Sequence, residues 1–81
     1  MSNTINTLAA KLAEDTMKVM DETGDDRFFM EVGELLGASS QSLEEAFLTE
    51  IRVRISERKA REFVIKRLSE HRSKLKAIEK Q

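Results

Sequence analysis

Apolar positions recur along this chain at helical spacing. Ile5, Leu8, Ala9, Leu12, Val19 and Met20, with Thr16 among them, follow the i, i+3, i+4, i+7 rule, which puts them on one face of a 3.6-residue turn. The pattern predicts a first helix from about Thr4 to Thr23, with Ser2, Asn3 or Thr4 as N-cap and Gly24 as a left-handed stop. Asp25 or Asp26 can cap a second, short helix carrying Phe28, Phe29, Val32, Leu35 and Leu36 in a broad apolar arc, ended by Gly37. Ser42 followed three residues later by Glu45 reads as a capping box, so a third helix is expected from Leu43 after a turn over Ala38 to Gln41.

From Leu43 to Lys80 there is neither Gly nor Pro, yet the apolar phase changes. Phe47, Ile51 and Ile55 share one face, whereas Ala60, Val64, Leu68, Leu75 and Ile78 share another, well over 90° away at 100° per residue. A straight helix would expose one of the two. A break near Ser56 is therefore expected, with a fourth helix from Glu57 and an all-α bundle of about four helices in one domain over residues 1–81, the last long and basic. The alternation Ile51-Arg52-Val53-Arg54-Ile55 also has the period of a strand.

Composition agrees with helices: 36% of residues are charged, Pro is absent, and Gly occurs only at positions 24, 33 and 37. Apolar runs reach only three residues, far below the roughly 18 needed to span a bilayer, so no membrane insertion is expected. The absence of Cys removes disulfides and thiolate metal sites and fits a reducing cytoplasm. Charge is divided along the chain. Met1 to Glu50 holds 11 acidic and 3 basic residues, a net of −8, while Ile51 to Gln81 holds 4 and 11, a net of +7. Two such halves either neutralise each other in the fold or meet an outside partner of opposite sign.

Val64, Leu68, His71, Leu75 and Ile78 step by four, three, four and three, the spacing of an association seam. Arg67, Arg72 and Lys74 flank it and disfavour pairing of like helices, so an acidic helix suits it, in this chain or another; a homo-oligomer is one outcome. His71 is read as a buried or half-buried seam residue. Beside the seam, Arg58, Arg61, Arg72 and Lys76 line a strip around Ile65, a surface for an acidic or amphipathic helix. Phe29 and Met30 add an apolar candidate contact on the second helix.

Arg52 and Arg54 with Arg58, Arg61, Arg72 and Lys76 also make nucleic acid an alternative partner. Against it stand the pI of about 5.8, Glu62 on the strip, and the lack of Tyr and Trp for base stacking. Val32 to Ala46 has the spacing of a helix-turn-helix, but its second helix would offer Glu44, Glu45 and Glu50 to a polyanion. Residues 51–60 bear a superficial likeness to the start of a ribbon-helix-helix repressor, without the two helices that fold needs. Asp21 to Asp26 fails as a calcium loop, since its sixth and twelfth positions are Asp26 and Val32. No pairing of nucleophile and base is legible, His71 is the sole histidine, and no enzyme activity, metal or cofactor is expected.

The block from Gly24-Asp-Asp-Arg-Phe-Phe-Met-Glu-Val-Gly-Glu-Leu-Leu-Gly-Ala-Ser-Ser through Glu50 resembles the small cytoplasmic regulators of T-even-type phages, the cytoplasmic lysis-inhibition antiholins among them. The resemblance covers about the central third of the chain. It implies a cytoplasmic, non-enzymatic regulator that binds the cytoplasmic amphipathic segment of a holin and delays lysis; it carries no catalytic motif and assigns no individual binding residue.

Overall fold

A computed structural model describes residues 2–79, and all of its regular structure is helical: α1 spans Ser2–Thr23, α2 Phe28–Gly37 and α3 Gln41–Glu79. The first helix already includes Asn3 and Thr4, so neither caps it. Gly24 is its stop. With φ at +77°, it donates its N–H to the Met20 carbonyl at 2.8 Å, the single bond of a left-handed cap. Nothing lies within 4 Å of where a Cβ would stand, so Gly24→Ala meets only the backbone cost of that conformation, about 1–2 kcal/mol. In a thermal melt each kcal/mol lowers Tm by about 4–8 °C in a domain of this size; an unchanged Tm would contradict the left-handed cap.

Two side chains steer the chain into α2. Thr23 Oγ1 accepts the Asp25 N–H at 3.2 Å, and Asp25 Oδ1 accepts the Arg27 N–H at 3.1 Å, an Asx turn that aims the next residues into the helix. Between α2 and α3 the capping residue is Ser40, not Ser42. Its Oγ accepts the Leu43 N–H at 3.2 Å, so α3 starts two residues before Leu43 and the expected Ser42–Glu45 capping box is not formed.

The expected break near Ser56 is absent, and so is the strand alternative. One helix of 39 residues runs through both, about 58 Å at 1.5 Å per residue. Without Gly or Pro, opening the backbone ladder would forfeit hydrogen bonds that nothing else in the chain replaces. The change of apolar phase is instead accommodated by exposure: every described residue from Ser56 onward is exposed.

The core therefore lies in the first two thirds of the chain. Ala9, Ala13 and Met17 of α1 close over Phe47 and Ile51 of α3, all buried. The two alanines let the helix axes approach, and Phe47 and Ile51 each contribute about 1.5–3 kcal/mol by leaving water. Phe29, Val32 and Leu36 bring α2 against the same cluster. Gly33 permits that approach, because a Cβ there would stand 3.2 Å from Leu48 Cδ2, whereas one on Gly37 would meet only the movable carboxylate end of Glu44. α1 and α3 run in the same direction, as Arg54 reaches the Ala10 carbonyl and Arg58 reaches Asp21 further along both helices; α2 is the return between them.

The result is a short body with a projecting arm, 64 × 28 × 13 Å overall. Its accessible surface is 6658 Å², against about 5000 Å² for a compact monomer of this mass.

Candidate functional site

Two surfaces collect the exposed apolar and charged side chains. The first is a groove between α2 and α3, lined by Phe29, Met30, Gly33, Leu48, Ile51 and Ile55, with Glu34, Glu44 and Arg52 at its edge. Its volume is about 540 Å³, room for a few anchoring side chains. Phe29 is half-buried in it, whereas Met30 stands 57% exposed at its lip. The groove exists because α2 is short and glycine-bearing: Gly33 brings it close at one point, and the larger side chains on either side splay open.

The second surface is the arm, α3 beyond Arg58. Val64, Leu68, Leu75 and Ile78 are between 45% and 67% exposed, and His71 is exposed with them. The expected half-buried position of His71 is thus not found within the chain, because α1 ends at Thr23 and no other element extends alongside the arm. Ile65, Arg72 and Lys76 do share one side, around a shallow hollow with Leu68, Ser69 and Ser73. They do not join Phe29 and Met30. Ten to twenty-one residues of helix separate them from Ile55, about 15–30 Å along the axis.

Charge pairs further divide the basic strip. Arg58 makes a two-pronged bond to Asp21, at 2.7 and 2.9 Å. Arg54 bonds Glu50 at 2.9 Å and also reaches the Ala10 carbonyl, while Arg61 bonds Glu57 at 2.7 Å. Arg58 and Arg54 thus fasten α1 to α3, a role the sequence pattern did not separate from binding. One residue the pattern passed over is Phe63, exposed on the arm with the Arg67 guanidinium 5.3 Å over its ring; the i, i+4 spacing of an aromatic and an arginine was the available signal.

The Asp21 carboxyl is held below the ordinary aspartate range, first by its hydrogen bond to Arg58 and further by that residue's charge, with desolvation opposing. Arg58 is correspondingly raised, chiefly through the same hydrogen bond. A carboxyl whose folded pKa is depressed stabilises the fold above its unfolded pKa, and the contribution is lost as pH falls through the folded value. Both groups are about half exposed, so the effect is small. Comparing Tm against pH for the native chain and Asp21→Asn, a slightly lower Tm of the variant at pH 7 is expected to converge with the native value on acidification; a gap independent of pH would remove the pair from the account.

Among the described residues no group of three or more His, Asp or Glu is placed to hold a metal ion, and no helix is long and apolar enough to cross a membrane. Comparison with protein-family models, curated proteins and solved structures finds no match to this chain. The groove is concave and the arm convex, and Leu8, Val19, Leu35 and Val53 are exposed outside both.

Proposed function

We propose that this chain is a non-enzymatic cytoplasmic regulator that binds an amphipathic helix of another protein in the α2–α3 groove. The observation that carries the reading is the groove itself: a concave apolar floor of Phe29, Leu48, Ile51 and Ile55, a methionine at its lip, and charges of both signs at its edge. Helices recognised in this way insert side chains at i, i+3, i+4 and i+7, and an exposed methionine adapts to the anchor it meets. The resemblance of residues 24–50 to T-even phage regulators supports the same surface, because that block includes one wall of the groove and part of the other. On that resemblance the partner is the cytoplasmic segment of a holin and the outcome is delayed lysis.

Titrating a labelled peptide of a holin's cytoplasmic segment into the full chain tests this. Saturable binding is expected, weakened roughly 30-fold or more by Met30→Asp, the loss typical of a central apolar contact, with circular dichroism unchanged because Met30 is exposed. Absence of binding at tens of micromolar by the native chain would remove the holin as partner.

A second reading, nucleic-acid binding, is favoured by Arg72 and Lys76, which share one side of the arm with Ile65. It is weakened by the carboxylate partners of Arg54, Arg58 and Arg61. Duplex affinity that falls steeply with salt would revive it; no binding at low ionic strength would end it.

A further inference from the structure

The apolar line on the arm does not stop where the body begins. Val53, Val64 and Leu75 are eleven residues apart, as are Ala46, Glu57 and Leu68, and as are Ala60 and His71 apart from each other, a repeat that keeps to one side of a nearly straight helix. Val53 is 57% exposed although it lies level with the core residues Ile51 and Ile55. Around it the α1–α3 seam opens into two adjoining hollows. One is lined by Ile5, Ser42, Glu45, Ala46, Thr49 and Glu50; the next has Met17 and Val53 with Glu14 and Glu57. This face points well over 90° away from the α2 side of α3.

We infer that a second copy of the chain covers this face, the two α3 helices crossing antiparallel at Ala60 so that each arm lies along the α1–α3 hollows of the other. The geometry is self-complementary. With the two-fold axis between Ala60 and Arg61, Leu68 stands opposite Val53, Leu75 opposite Ala46, and His71 opposite Glu50. A small residue falls where the helices come closest, and the same patch serves both copies, as closed two-fold assembly requires.

Charge selects this direction. Ser56 to Glu79 carries eight basic and four acidic residues, a net of +4. A parallel pair would set those two arms side by side. The antiparallel pair instead sets each arm, flanked by Arg61, Arg67, Arg72 and Lys74, against hollows whose lining holds Glu14, Glu45, Glu50 and Glu57 with Lys18, Arg54 and Arg58, a net of −1 rather than the +4 of a second arm. Area agrees as well. The surface in excess of a compact monomer is about 1700 Å², the difference between 6658 Å² and the roughly 5000 Å² expected, and a stable interface needs about 800 Å² from each partner. The inference does not rest on the holin reading, since the α2–α3 groove stays open in the dimer.

The native chain has no cysteine, so introduced thiols report the pairing directly. In sedimentation equilibrium the chain should have about twice its 9.3 kDa mass. Ala60→Cys should cross-link to itself under mild oxidation, and Leu75→Cys should cross-link to Ala46→Cys when the two variants are mixed. Leu68→Asp should raise the dimer Kd roughly 30-fold or more, as for a central contact, and Lys74→Asp, at the rim, far less. Retained helicity in Leu68→Asp is expected, because that side chain touches no other element of its own chain. A monomeric native chain at tens of micromolar would overturn the proposal, and so would self-cross-linking of Leu75→Cys, because the two copies of that position lie about 44 Å apart in the antiparallel pair and meet only in a parallel one.

Discussion

Phe47→Ala is expected to unfold a large fraction of the molecules, at a cost of about 3–5 kcal/mol. Phe47 and Ile51 are the largest fully buried side chains, and both sit where α1 and α2 meet α3. A chain of this length has about 4–12 kcal/mol of total stability at typical per-residue values, so one cavity at that junction removes a large share of it. Phe63→Ala supplies the contrast. It removes an equal volume from a residue 62% exposed on the arm, where surface changes usually stay within about 0.5 kcal/mol. Urea titrations of the two variants should therefore differ several-fold in the shift of midpoint, and equal shifts would mean that the core is not where the helices place it.

Glu57→Pro should cost about 3 kcal/mol or more, as proline does inside a helix. It removes the N–H that bonds the Val53 carbonyl in the ladder and sets a ring against that carbonyl. Had α3 been two helices with Ser56 as cap, position 57 would be the first helical residue, where proline is welcome. The same substitution thus gives opposite results for the two architectures. Helicity and Tm should fall together in Glu57→Pro, with Glu57→Ala as the control that loses only the exposed pair to Arg61; a proline variant as helical and as stable as that control would restore the break.

The outcome at residue 57 bears on how far the fold could be read in advance. α1, its stop at Gly24, and the end of α2 at Gly37 were all legible, because each depends on local periodicity and on backbone chemistry within a few residues. The fourth helix was not. Its expectation assumed that each apolar face must find a partner in the same chain, and from Val64 to Ile78 that assumption fails while the local rule, no Gly or Pro and hence no break, holds. His71, read as a seam residue facing a helix of this chain or another, is exposed within this one. Val53 was passed over because it sat inside an apparent strand alternation; its eleven-residue distance from Val64 and Leu75 was the usable signal. At the α2–α3 groove, Phe29 and Met30 were legible as candidates on a sticky helix, but Leu48 and Ile55 were not, since the opposing wall is created by the Gly33 contact, which no periodicity reports. The strip at Arg58 was legible as charge and not as structure, because its carboxylate partner comes from the tertiary fold at Asp21; the Arg61 partner, Glu57, lies one turn earlier at a spacing that the sequence does show.

Among the described residues the last bond from α3 to another element is Arg58 to Asp21, and the buried core precedes it. Substitutions beyond that point are nearly free of the requirement to fold. About twenty residues of the arm can therefore be substituted without compensating changes in Phe47, Ile51 or the alanines of α1. The proposed α2–α3 groove is placed differently: it shares Ile51 with the core and Phe29, Leu48 and Ile55 with the layer packed on it, so a change of groove is also a change of scaffold, whereas the arm of the proposed dimer is not bound in that way.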